Sequence, residues 1–192
     1  MYSLNHPELD WKGSSHPYST TFTDIYYPIE GALQQSRDVF IGGNTIPERL
    51  QRRSNQADNS PLVIGELGFG AGVNFLATLQ EWSQLQSPKH PLHYISVENA
   101  PLHPVDLKRA LSAFPELSSF SEELLAQYPP PLRGAHRLHF ARNQVTLDLL
   151  FQDALEAFES QSFTADAWYL DGFDPRRNDS LWNEKLFKIV RA

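Results

Sequence analysis

A chain of 192 residues with a hydrophobic share of 41% suits one domain with a sizeable core, and no apolar run approaches the length needed to span a bilayer. Its formal net charge of -7 argues against strong non-specific attraction to nucleic acid, without excluding a local basic groove. With no cysteine there is no disulfide framework and no thiolate metal site, which fits a cytoplasmic protein, as does a start, MYSLNHPELDWK, without the pattern of a signal peptide.

Residues 1 to about 60 read as a lead-in that caps the core formed by 61–192, not as a separate domain. Thr21 to Tyr27, TFTDIYY, alternates in the manner of a strand or hairpin arm that Pro28 stops. A helical pattern from Gly31 to about Phe40 is broken by Gly42, Gly43 and Asn44, and Ile46 to Arg53 resumes as a short helix. The segment is either a plain cap or one that closes over a cofactor through Tyr26, Glu30 and Asn44.

Pro61 to Trp82, PLVIGELGFGAGVNFLATLQEW, organises the rest. Leu62, Val63, Ile64 and Leu67 form the short β-branched run of a strand buried on both faces. Gly68, Gly70 and Gly72 follow, a backbone that turns sharply and admits a close ligand. Phe75, Leu76 and Leu79 then recur at helical spacing, so the first amides of that helix point at whatever lies over the turn. The turn is not a P-loop, because Val73 and Asn74 stand where Lys and Ser or Thr are required. Its GxGxG spacing, with Glu66 two residues earlier, suits S-adenosylmethionine better than a dinucleotide. That cofactor has an ammonium group and no pyrophosphate, so the acid attracts it. A dinucleotide enzyme and a merely structural turn remain the alternatives.

His93 to Val97 reads as the second core strand, ending in Glu98, where a carboxylate holds a ribose diol in this kind of unit; a lone surface acid is the bland alternative. Leu102 to Phe114 and Leu117 to Tyr128 read as helices, separated by Pro115 and followed by the stiff Pro129–Pro131 connector. His136 to Phe151 reads as a hairpin around Arg142 and Asn143. It delivers Asp153, which either accepts from an adenine amine or caps the helix beginning at Ala154. Ala165 to Leu170 is a further strand, with Asp171 at its carboxyl end. The loop Gly172–Pro175, the pair Arg176 and Arg177, and a helix from about Ser180 come next, and Trp168, Tyr169 and Trp182 read as core. The seven histidines show no metal-ligand spacing, and no nucleophile elbow is present.

The stretches ELGFGAGVNFL, ISVENAPL, LLFQDA and DAWYLDGFDPRRNDSLW resemble the methyltransferase domain of the MnmC-type bifunctional tRNA wobble-uridine modification proteins, which also exists in stand-alone form. The likeness runs from about Tyr18 to the last residue. It implies a class I, Rossmann-like fold: a mostly parallel sheet with an extra β-hairpin. It also implies methyl transfer from S-adenosyl-L-methionine to the aminomethyl group at C5 of uridine 34 in tRNA. By the resemblance, Glu66, Gly68, Gly70, Gly72, Asn74, Glu98 and Asp153 contact the cofactor and Asp171 lies beside the methyl group. The resemblance further leads to the expectation that Phe173 packs on uracil and that Arg176 and Arg177 meet tRNA phosphate. The partners implied are tRNA and an FAD-dependent oxidase domain of the same pathway; nothing in the chain matches that oxidase. Gln152 stands where the family tends to have glycine, Asp174 where it has a small uncharged residue and Asp179 where it has proline. Three further strands are expected after Trp182, so a fragment, an interrupted product or a chain completed by a partner is anticipated, and an apolar sheet edge with it. The rival readings are a nicotinamide-dependent oxidoreductase and a non-catalytic remnant of this fold.

Overall fold

A computed structural model describes residues 3–13, 15–28, 30–54, 59–86, 89–142, 144–161, 163–173 and 184–190. Its centre is a five-stranded sheet built from β4 (Leu62–Leu67), β5 (Leu92–Glu98), β6 (Gly134–Phe140), β7 (Val145–Phe151) and β8 (Ala167–Leu170), in the order β6-β7-β5-β4-β8. The pairs β4–β5, β4–β8 and β5–β7 are parallel, and β6 returns antiparallel on β7, so the expected hairpin forms. Because β5 and β7 lie on one side of β4 and β8 on the other, the sheet is doubly wound, with its reversal at the carboxyl end of β4. Among the described residues β8 pairs only with β4, and Leu170 is 37% exposed there.

Both faces of the sheet are covered, which is why its strands read as continuous apolar runs. On one face the helix α3 (Val73–Gln84) sinks Phe75 against Tyr94 and Phe140 at ring distances of 5.2 and 5.1 Å. On the other, Leu67, Ile95, Val97 and Leu150 meet Ala157 and Phe158 of α6 (Ala154–Ser160) and Leu186 of α7 (Glu184–Val190). The helices α4 (Pro104–Leu111) and α5 (Ser118–Gln127) follow β5, with Pro104 tolerated in the first turn of α4. The start anticipated near Ser180 for the last helix, and Trp182, lie outside the described residues.

The N-terminal segment departs from its sequence pattern. Only Asp24–Ile25 of TFTDIYY is strand (β3), and the longer pairing lies upstream, β1 (Leu9–Lys12) on β2 (His16–Ser19). The reason is turn chemistry: Thr23 takes a positive φ of 54°, and the Phe22 N–H donates to Ser19 Oγ at 3.1 Å, so residues 20–23 turn instead of pairing. Next, α1 (Ala32–Gln35) passes directly into a π-helical segment, Ser36–Gly42, and α2 (Ile46–Ser54) follows. Gly42 therefore belongs to the helical segment instead of breaking it. Gly43 caps the segment, and only glycine fits there, because a Cβ would lie 2.2 Å from the Val39 carbonyl oxygen. Tyr27, Leu33, Ile41 and Leu50 from this half share one buried cluster with Phe75 and Leu79.

Candidate functional site

A cavity opens where β4, β5, β7 and β8 end. The glycine turn supplies Gly68, Gly70 and Asn74, the end of β5 supplies Glu98, the residues after β7 supply Gln152, and those after β8 supply Asp171 and Phe173. The N-terminal segment closes the outer side through Tyr26 and Ser36. The cavity sits at the reversal of strand order, the position at which open α/β sheets take ligands.

All three turn glycines adopt positive φ, 81° at Gly68, 53° at Gly70 and 73° at Gly72. At Gly70 the need is double. An L-residue is strained at that φ, and its Cβ would come within 3.3 Å of the Tyr26 ring that covers the turn. The Gly70 N–H donates to Glu98 Oε2 at 2.9 Å, so the turn and the end of β5 are held together by the two residues expected to share a ligand.

Three carboxyl groups surround this turn. Glu98 takes a second N–H, from Ala100, at 2.9 Å; burial pushes its carboxyl up, while the Ala100, Gly70 and Asn99 amides pull it down. Asp171 is likewise pushed up by burial, against the pull of the Gly172 N–H at 2.8 Å and the Asn74 amide at 2.7 Å. Glu66 is 1% exposed and is pushed up to about 8, chiefly by burial. Its bonds from Ser96 Oγ at 2.7 Å and Asn74 Nδ2 at 3.0 Å pull the other way, and the Asp171 charge adds to the rise. No Lys, Arg or His is among the described residues that line the cavity. A ligand that brings its own positive charge and hydroxyl groups matches this donor and acceptor set.

The sequence candidates fall in different places. Gly68, Gly70, Asn74, Glu98, Asp171 and Phe173 meet at the one cavity. Glu66 lies behind Asn74 and faces the cavity only through it. Asp153 caps α6, its Oδ1 accepting from Leu155 and Glu156, while its neighbours Gln152 and Ala154 line the wall. Phe173 stacks on Phe22 at 4.8 Å and meets Tyr26 edge-on at 5.2 Å, so its ring is already engaged by the N-terminal segment. Of the three residues considered for closing the site, Tyr26 does line it, Glu30 is exposed, and Asn44 donates to the Phe40 carbonyl at 2.9 Å and lies away from the cavity. Arg176 and Arg177, like Asp174 and Asp179, lie outside the described residues. Sequence reading passed over Ser36, Ser96 and Phe22. A hydroxyl inside the apolar run of β5, two residues before Glu98, was the available signal for Ser96; Ser36 carries none.

A mostly parallel, doubly wound sheet with a glycine turn at its reversal is a Rossmann-like fold, the fold class of class I S-adenosyl-L-methionine-dependent methyltransferases. Residues 115–192 match the family described as S-adenosyl-L-methionine-dependent methyltransferase. The chain is 42% identical over 193 residues to the tRNA 5-methylaminomethyl-2-thiouridine biosynthesis bifunctional protein MnmC of Aeromonas hydrophila, covering 96% of this chain and 28% of that protein. The protein of the same name from Acinetobacter baylyi is 43% identical, with 95% and 30% covered. In fold the chain resembles MNMC2 from Aquifex aeolicus, with a TM-score of 0.70, 22% identity, and 97% of this chain and 56% of that chain covered. The chain is similar to the MnmC proteins along nearly its whole length, and spans less than a third of the length of the curated relatives it matches. No helix among the described residues is long and apolar enough to cross a membrane.

Proposed function

We propose that this chain transfers the methyl group of S-adenosyl-L-methionine to the aminomethyl nitrogen at C5 of the wobble uridine in tRNA. The observation that carries the reading is a cavity at the strand reversal that gathers buried carboxyl groups around a glycine turn, with no described cationic side chain on its wall. The tRNA substrate is supported by the names of the relatives. In this reading Glu98 accepts from the ribose hydroxyls, the amides of the glycine turn face the cofactor, and Gln152 and Ala154 border the adenine, with Asp153 fixing α6 beside them. The cofactor, when bound, supplies an activated methyl group on a sulfonium.

The chain's own contribution is to orient the acceptor and take its proton. An aminomethyl nitrogen is mostly an ammonium at neutral pH and has no lone pair to offer. The Asp171 carboxylate, with Oδ1 bonded to the Gly172 N–H and Oδ2 to Asn74, keeps lone pairs free toward the cavity; it holds the ammonium and accepts its proton. Its upward-shifted pKa brings acceptor and donor closer in proton affinity. Phe173, two residues after Asp171 and on the cavity wall, offers the pyrimidine a face once Phe22 yields it; Arg176 and Arg177 are proposed to meet phosphate. An FAD-dependent oxidase activity is the proposed upstream partner that makes the amine.

The test is titration of the chain with S-adenosylhomocysteine, then methylation of hypomodified tRNA with labelled donor. Micromolar binding and methyl incorporation are expected, with Asp171→Asn lowering kcat about 10²- to 10⁴-fold while binding of S-adenosylhomocysteine persists. A folded chain that binds NAD and not S-adenosylhomocysteine would overturn the reading in favour of an oxidoreductase. Cofactor binding without methyl transfer would leave a non-catalytic member of this fold.

A further inference from the structure

Both hydrogens of the Asn74 carboxamide are committed, and its oxygen is engaged as well. Its Nδ2 donates to Glu66 Oε1 at 3.0 Å and to Asp171 Oδ2 at 2.7 Å, and its Oδ1 accepts from Ser36 Oγ at 2.5 Å. An amide between two carboxyl groups has one workable orientation, with nitrogen toward the acids, because the reversed one sets oxygen against oxygen. Hydrogen bonds to the acids alone leave that orientation dependent on their ionisation. The Ser36 hydroxyl does not titrate, and it binds the opposite end of the amide.

The geometry of Ser36 fits such a duty. It is 3% exposed, lines the same cavity, and stands at the first position of the π-helical segment, where α1 changes its winding. Insertions of π-helix of this kind re-aim side chains and are frequent at functional sites. Ser36 is 38 residues from Asn74, so the bond also ties the N-terminal segment to the first turn of α3.

We propose that Ser36 is a positioning residue for Asp171: by locking the Asn74 carboxamide it keeps the Asp171 carboxylate bonded and aimed into the cavity. The inference rests on the reading of Asp171 as the group that meets the substrate amine. Without the Ser36 bond, Asn74 samples orientations that withdraw its hydrogens from both acids. Asp171 then loses one of the two bonds that offset its burial, and its proton affinity rises. Among the described residues, the other titratable groups facing the network are Glu66 from β4, Tyr94 from β5, Tyr169 from β8 and, across the cavity, Glu98 and Tyr26; all are acids or phenols, and none of them brings a positive charge to Asp171.

The deciding measurement is the carbon-13 NMR titration of the Asp171 carboxyl in the cofactor-free chain, which needs no activity. Ser36→Ala is expected to raise the midpoint by about one unit, and Ser36→Thr, which retains the hydroxyl, to restore it. In an Asn74→Ala background the same Ser36→Ala change should move nothing further. With the wild type active on tRNA, the acid limb of kcat/KM should shift to higher pH by the same amount in Ser36→Ala. An unmoved midpoint in a folded variant, or an equal shift without Asn74, overturns the proposal. If Ser36→Ala does not fold, Ser36→Cys, with a much weaker donor, carries the same two outcomes. Loss of methyl transfer in the wild type itself would count against the proposed function while the midpoint still decides the role of Ser36.

Discussion

Two sets of carboxyl groups on the same sheet are treated in opposite ways. Asp148 on β7 sits partly buried between Arg137 of β6, which donates through Nε at 2.7 Å and Nη2 at 2.8 Å, and His93 of β5, whose Nε2 lies 2.8 Å away. Burial pushes this carboxyl up, but the guanidinium and the imidazole outweigh it and hold Asp148 well below the usual carboxylate range. At the carboxyl ends of the neighbouring strands, Glu66, Glu98 and Asp171 are held, among the described residues, by neutral donors only, Asn74, Ser96 and backbone amides, and all three are pushed up. The first arrangement is complete within the fold. The second leaves Glu98 and Asp171, which line the cavity, short of positive charge from the described residues, which is how a protein stores affinity for a cationic ligand.

The comparison breaks most sharply at Glu98. Replacing it with Ala removes the acceptor that faces the cavity and leaves the Gly70 and Ala100 N–H groups without their carboxylate. A hydrogen bond to a charged group contributes about 1.5–3 kcal/mol, so affinity for S-adenosylhomocysteine should fall roughly 10- to 100-fold by calorimetry. An unchanged affinity would show that the end of β5 does not touch the ligand.

A second effect, on stability and not on affinity, follows from Glu66. Its folded pKa of about 8 stands above the ordinary carboxyl value of about 4.5, so the folded chain retains a proton that the unfolded chain releases as pH rises between those values. Stability is therefore fully expressed below about pH 4.5 and declines as pH rises toward 8, at up to about 1.4 kcal/mol per unit for this one group. Glu66→Gln keeps an acceptor for Asn74 and a partner for Ser96 but has no proton to lose. Denaturation at about pH 5 and about pH 8 should show the variant gaining on the wild type as pH rises, by a few kcal/mol at most. A gap that does not grow with pH would mean that Glu66 is ionised in the fold.

What the sequence disclosed follows the same division. The strand, turn and helix from Leu62 to Gln84 were legible because the apolar period changes across glycines, and Glu98 and Asp171 because each ends an apolar run. All of these are local signals. The Ser36–Asn74–Asp171 chain joins residues 38 and 97 positions apart, and no periodicity encodes such a meeting. Phe22 escaped for a related reason: its stretch alternates like a strand, yet the Ser19 hydroxyl and the positive φ of Thr23 turn it toward Phe173. Asp153 was legible as an acid after a strand. Its cap bonds to α6 are plain in the structure, while its flanking residues border the cavity.

The smallest expected effect lies at the other pole of the comparison. Asp148→Asn keeps the shape of the side chain and removes the charge that Arg137 and His93 answer. Its folded pKa is depressed, so the stability it provides is present above the unfolded carboxylate range and is lost as pH falls toward the folded value. The Arg137 side chain is 60% exposed, and a solvent-screened pair of this kind is worth little, so the variant should lose about 1 kcal/mol near pH 7 and less in acid. Affinity for S-adenosylhomocysteine should not change, because none of the three residues lines the cavity. If instead that affinity falls with Asp148→Asn, charge around Asp148 reaches the cavity, and the separation between a completed carboxylate and the two that line the cavity no longer holds.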